Sequence, residues 1–442
     1  GSIEGLVYGI TRARQAAKAW AEREGFSLAE AKEELWVGGG DLTRALIGDR
    51  LPELRGKIKE EVKWLGLTMR SSPKGGICFR RQAERSLEEA GKALKRYTPL
   101  CRRQFGLSEA VLEGLWHRVI IPKACYGAEL WGHQARYAWY TKKAESLRHA
   151  AGRLMWRALG STPGILMARV MEWKRVDHAV VERLAKATLY KRRWRLEDKD
   201  AKWLSQYAGD VLRNQQPDRE QVAPEGRVLE IDGGGSPMPE EGCVQYYTDG
   251  SRKECTKGRP RGGRIATCAR VGCGVAEIGP QGELAWAGSH RLPDWCTVHQ
   301  SELKGIERAC IRAETTLPKV REGKIRKVDI CVDNISALRA AGGHIQLLGR
   351  TGASARAAVI RLTEKLEEAG GELRLKWVKS HVGHRHNAVA DLLAADGAHR
   401  GRLLTVPVPW VHTREQIQRR YASRGDKDWA RKSSGLRASW AG

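Results

Sequence analysis

The chain has 442 residues, 41% of them hydrophobic, and its 78 Lys and Arg outnumber 52 Asp and Glu to leave a formal net charge of +26. That length predicts two or three domains rather than one core, and so large a cationic excess points to a polyanionic partner, either nucleic acid or an acidic membrane surface. No apolar run approaches the roughly 20 residues a membrane helix needs and no signal peptide leads the chain, so nucleic acid is favoured, with no membrane and no secretion expected.

The start at Gly1-Ser2 reads as a cloning scar or a cut from a longer polypeptide. The ten cysteines include no Cys-x-x-Cys; a zinc site from Cys255, Cys268, Cys273 and Cys296 is outweighed by small buried thiols kept reduced in an intracellular compartment.

From Leu6 to about Phe26, Ile10, Ala13, Ala17 and Trp20 recur at helical spacing, and Ser27-Leu-Ala-Glu30 has the form of a capping box. Lys63 to Met69 reads as a strand, and the Ser-Ser-Pro-Lys-Gly-Gly76 run as a turn. Helices are predicted from Arg80 to Tyr97 and from Ser108 to Arg118, followed by an apolar stretch to Gly132 broken by Pro122 and Gly127. Tyr137 to Lys199 reads as helical and basic, with Lys142, Lys143, Arg148, Arg153, Lys174 and Arg175 among its cations and Trp139, Trp156, Trp173 and Trp194 interleaved. The cations as a group suit a phosphate backbone, while the tryptophans read as core. Residues 215–241, with four prolines and Gly233-Gly-Gly, read as a linker.

Cys243 to Ser251 is a β-branched and aromatic run predicted to end at Asp249, with Gly250 opening a turn. A flexible basic insertion, Arg252 to Arg264, follows it. Ser301 opens a helical pattern through Leu303, Ile306, Ala309, Cys310 and Ala313, which puts Glu302 in a first turn. Lys327 to Asn334 is a second buried strand tipped by Asp333. Trp377-Val-Lys-Ser-His381 is a strand end, and after a loop of glycine and histidine a helix carries Asp391 near its start. Four acids thus fall at element ends in the order strand, helix, strand, helix. Hard divalent cations take oxygen ligands, and two-ion phosphodiester hydrolysis needs several carboxylates on one face.

These residues carry a resemblance. Tyr-Thr-Asp249-Gly-Ser, Ser-Glu302-Leu, Val-Asp333-Asn and Trp-Val-Lys-Ser-His381-Val-Gly383, followed by Asn387 and Ala-Asp391, resemble a ribonuclease H domain over about residues 242–401. The resemblance implies a mixed five-stranded sheet flanked by helices, and cleavage of the RNA strand of an RNA/DNA hybrid. It also implies a two-Mg2+ site on Asp249, Glu302, Asp333 and Asp391, with Mn2+ as a substitute, and His381 as a proton carrier for the leaving group. Candidate substrate contacts are Gly250, Ser251, Asn334, Ser336 and Asn387. His386-Asn387-Ala388 departs from the family's usual Gly-Asn-Glu, and Trp295 and Cys296 have no counterpart there.

Upstream, Trp20 to Phe26, Trp64-Leu-Gly-Leu67 and Pro122-x-x-x-Tyr-Gly-Ala-Glu-Leu-Trp131 resemble the palm end and thumb of a non-LTR retrotransposon reverse transcriptase. The expected organisation is α/β and multidomain: a palm-end-like segment at 1–76, a mostly helical basic thumb-like region at 77–214, a linker at 215–241, the ribonuclease H domain at 242–401 and a basic tail at 402–442. The sequence holds no Asp-Asp pair, so no DNA synthesis is expected from this chain alone. The implied partners are hybrid nucleic acid and the upstream polymerase part of the same polyprotein, in a nuclear or cytoplasmic ribonucleoprotein. Two other functions fit the same residues: a catalytically silent nucleic-acid-binding module, and a different two-metal nuclease of the same broad fold.

Overall fold

A computed structural model describes residues 2–29, 33–37, 40–72, 77–102, 107–156, 158–164, 166–167, 173–191, 196–209, 216–233, 239–256, 267–379 and 385–440. The backbone divides into two compact units, one of residues 1–184 with 421–442 and one of residues 185–420.

The first unit is mostly helical. Its opening helix, Ile3–Arg23, starts where the Ser2 hydroxyl accepts from the Gly5 amide at 3.2 Å. The single strand expected over Lys63 to Met69 is instead a hairpin of Glu61–Trp64 and Leu67–Ser71. Leu65 and Gly66 turn it with φ of 46° and 80°. A leucine rarely sits at positive φ, and here the Tyr126 hydroxyl donates to its carbonyl at 2.6 Å.

Helices Arg80–Arg102 and Ala138–Met155 pack together. Trp173 is core as expected, stacked on Trp116 at 5.7 Å, but Trp156 is exposed and Trp139 lies half-buried beneath the Arg80 guanidinium at 5.0 Å. Trp194 lies outside the described residues. Several cations expected on a phosphate surface are used internally: Arg175 pairs with Asp177 at 2.9 Å and Glu145 at 3.2 Å, Arg148 with Glu145 at 3.5 Å, and Lys174 with Glu182. A run of positive charge in the sequence does not show which of its members has an acid folded against it.

In the second unit the sheet comprises β1 (Ile231–Gly233), β2 (Cys243–Thr256), β3 (Thr267–Ile278), β4 (Leu284–Leu292), β5 (Lys327–Val332), β6 (Glu372–Trp377) and β7 (Arg402–Leu403), in the order β7-β4-β3-β2-β5-β6-β1. Strands β2, β5, β6 and β1 run parallel, β2 to β4 form an antiparallel meander, and β7 adds parallel to β4. The sheet is mixed as expected but has seven strands rather than five. Both extra strands come from segments read as linker and tail. Each is two or three residues long and at an edge, where pairing needs only backbone groups and leaves no apolar pattern to read.

One face packs Val244, Tyr246, Val328, Ile330, Val332, Leu373 and Leu375 against α1 (Val298–Ala313), α2 (Ile335–Gly342) and α3 (Arg350–Glu368). The other carries Tyr247, Ala276, Ile278 and Cys331 beneath α4 (Arg385–Arg400), through Ala390 and Leu393. Coverage on both sides explains why the Cys243 to Thr248 run is buried without alternation. Asp329, fully buried in β5, is held by Arg374 at 2.7 Å and Lys376 at 2.9 Å; burial would raise its carboxyl, but these two cations keep it below the usual range.

Helix α4 rests on β3 at Gly272 and Gly274. A Cβ at Gly274 would meet the Ala390 carbonyl and Ala394 amide and come within 2.7 Å of Leu393 Cβ. Backbone cannot yield as a side-chain tip can. Gly274→Ala is expected to cost about 1–3 kcal/mol, measured as a lower urea midpoint with unchanged slope.

A candidate carboxylate metal centre

Register builds the site. Strands β2 and β5 run parallel with Thr248 opposite Val332, so the next residue on each, Asp249 and Asp333, emerge side by side. The β2 strand does not end at Asp249: its pairing with β3 continues to Thr256 opposite Thr267, so Asp249 sits mid-strand and Gly250 opens no turn. What Gly250 provides is room. A Cβ there would lie 2.8 Å from the Glu302 amide, so its absence lets the start of α1 press against β2.

Helix α1 begins earlier than Ser301. Thr297 caps it in a reciprocal capping box with Gln300, which places Glu302 in the second turn rather than the first. The Thr-x-x-Gln signature was available in the sequence, but Val298 to Gln300 adds nothing to the apolar periodicity that marks the helix further on.

Oxygens of Asp249, Glu302 and Asp333 all lie within 4.8 Å of one another. Among the described residues no other trio of His, Cys, Asp or Glu gathers this way. Asp391 stands outside the trio, exposed on α4, yet near enough for its charge to act on Asp249. Burial first, then the Asp333 carboxylate, raise the Asp249 carboxyl; burial and then Asp249 and Asp333 raise Glu302. Glu302 is 3% exposed, and its Oε2 is buried with no hydrogen-bond partner. A buried carboxylate oxygen left open beside two further acids fits a hard divalent ion.

The other expected site residues fall in different places. Asn387 is buried on α4, and its amide donates to Asp333 Oδ2 at 3.5 Å, so it supports a carboxylate rather than facing outward. Asn334 caps α2, its side chain accepting from the Ala337 amide at 3.1 Å, while Ser336 is exposed and Gly250 and Ser251 are half-buried. His381 and Gly383 lie outside the described residues. Trp377 has a role its place in the motif did not reveal: its indole donates to the Asp333 carbonyl at 2.9 Å. Cys273 and Cys296 are buried, and burial pushes the Cys273 thiol up to about 12, as suits an inert core thiol.

No protein-family model matches the chain, and no curated protein matches it. Solved structures similar to it include ribonuclease H1 from the halophilic archaeon Halobacterium salinarum, at 17% identity and a TM-score of 0.24, covering 35% of this chain and 97% of that one. Another is the ribonuclease H1 LC11, solved in complex with an RNA/DNA hybrid, at 18% identity and a TM-score of 0.26 over 35% of this chain and 96% of that one. A prototype foamy virus protease-reverse transcriptase is similar at 19% identity and a TM-score of 0.25, over 36% of this chain and 21% of that one.

The raised carboxyls have a consequence for stability. Folded Asp249 and Glu302 keep protons to higher pH than the unfolded chain does, so the stability these two groups contribute is fully present below the ordinary carboxylate range and is lost as pH rises through their folded values. Melting in EDTA is therefore expected to drop between about pH 5 and pH 8, with Mg2+ raising it more at pH 8 than at pH 5 and Asp249→Asn flattening the slope. Differential scanning fluorimetry across that range reads all three.

Proposed function

We propose that residues 242–401 are a metal-dependent endonuclease of the ribonuclease H type, hydrolysing the RNA strand of RNA/DNA hybrids as part of a non-LTR retrotransposon reverse transcriptase. The observation that carries this reading is the convergence of Asp249, Glu302 and Asp333 within 4.8 Å from a strand, a helix and a second strand. The net charge of +26 supports a nucleic-acid substrate.

Asp249, Glu302 and Asp333 are the residues to hold Mg2+, with Asp391 extending the acidic rim outward. When bound, such ions neutralise the phosphate and acidify a water. The chain's own contribution is placement. Asp249 and Asp333 are fixed by neighbouring strands, Asn387 and Trp377 steady Asp333 at its carboxylate and its carbonyl, and Gly250 lets Glu302 close the trio. His381 is assigned the leaving-group proton, a role imidazoles commonly take. Hybrid selectivity follows from shape and 2′-hydroxyl contacts rather than base reading. The upstream polymerase part of the same polyprotein is the proposed protein partner, and Mn2+ the substitute ion.

The test is an end-labelled RNA/DNA hybrid, the matching RNA duplex and the DNA duplex incubated with the full chain in Mg2+, beside Asp249→Asn. Cutting of the hybrid alone is expected, with the variant slower by at least about 100-fold. Equal cutting of the DNA duplex would indicate the other two-metal nuclease, and binding without cutting the silent module.

A further inference from the structure

Ahead of the sheet, in the stretch that reads as a linker, Asp218 is half-buried and reaches three segments of the second unit. Its amide donates to the Val408 carbonyl at 2.8 Å, while the Val408 amide donates to Gln216 at 2.9 Å. Its Oδ1 accepts from the Thr351 amide at 3.1 Å, capping α3, whose own N-cap Gly349 offers no side chain. Its Oδ2 accepts from Gln300 Nε2 at 2.7 Å and from the Thr351 hydroxyl at 3.2 Å.

Gln300 is 3% exposed and its amide is fully committed. Nε2 donates to Asp218, to the Pro407 carbonyl at 3.0 Å and to Thr351 Oγ1 at 3.3 Å, while Oε1 accepts from the Thr297 amide at 3.2 Å to complete the capping box of α1. Two residues later comes Glu302. The first turn of α1, which leads into this carboxylate, is therefore tied to a residue outside the sheet.

We propose that Asp218 is a positioning residue for Glu302, acting through Gln300 to set the rotation and height of the first turns of α1 against β2. The inference rests on the carboxylate-site reading above and deepens it. Asp218 accepts from amides and a hydroxyl, with no cation paired to it among the described residues, so its hold on Gln300 is directional. Burial raises its carboxyl, partly offset by those hydrogen bonds. Glu302 has little freedom of its own, being buried beside the two aspartates, and a metal centre depends on ligand placement to a fraction of an ångström.

Asp218→Asn separates positioning from capping. The asparagine oxygen still accepts from the Thr351 amide, but its NH2 then faces the Gln300 NH2, donor against donor. Gln300 must turn away, which breaks its bond to the Thr297 amide and loosens α1. The full chain is compared as wild type, Asp218→Asn and Leu366→Ala. Leu366 is buried near the far end of α3, and its truncation lowers stability away from the site.

Mn2+ binding by calorimetry without nucleic acid is expected to weaken about 10-fold in Asp218→Asn. The Mg2+ concentration for half-maximal hybrid cleavage should rise by a similar factor, with KM for the hybrid within about twofold and faster hydrogen exchange over 298–303. Leu366→Ala should lose melting temperature and keep wild-type Mn2+ affinity. Unchanged Mn2+ affinity in Asp218→Asn, or an equal loss in Leu366→Ala, overturns the proposal. A wild-type chain that binds Mn2+ but cuts no hybrid removes the nuclease reading and leaves the positioning role to be decided by the variants' affinities. A wild-type chain that binds no Mn2+ overturns both.

Discussion

Mutual repulsion among Asp249, Glu302 and Asp333 is the constraint on which the second unit's design turns. Three carboxylates within 4.8 Å, two of them almost out of water, would separate if their elements could move. They cannot, because two leave adjacent parallel strands in fixed register and the third sits on a helix pressed against a glycine. The fold holds the acids together, and burial first and their neighbouring charges second raise the proton affinity of Asp249 and Glu302.

A buried acid on the neighbouring strand position shows what a structural carboxylate looks like in the same sheet. Asp329 is more deeply buried than Asp249, yet Arg374 grips both of its oxygens, Lys376 adds a third contact, and its carboxyl is held down rather than up. Four residues further along the chain, Asp333 lies beside the acids Asp249 and Glu302 and accepts from Asn387. The contrast separates charge used to join strands from charge kept available, and depth of burial alone does not make that distinction.

Much of this was legible because it is local. The strands at Cys243 to Thr248 and Lys327 to Val332, the apolar face of α1 and the four acids all follow from residue order, and three of the acids do meet. What escaped depends on pairing between distant segments. The extension of β2 past Asp249 is set by β3; the start of α1 by a cap lying outside the apolar repeat; the strands β1 and β7 by free backbone at the two edges of the sheet. Asn387 is a candidate substrate contact in the sequence, and only the folded chain shows it buried with its amide donating to Asp333. Asp218 carried no signal at all, being one acid in a proline-containing stretch whose partners lie 82, 133 and 190 positions further along.

The two short flanking strands also limit how another molecule can approach. A sheet ending at β4 and β6 would offer long rows of unsatisfied amides and carbonyls that a foreign strand could extend. Arg402–Leu403 occupies His290 and Arg291 near one end of β4, and Ile231–Gly233 occupies Leu375 to Trp377 at one end of β6, so at those ends a foreign strand would find the backbone taken. Strand addition is thereby blocked at those two ends of the sheet, and Asp391 stands exposed on α4.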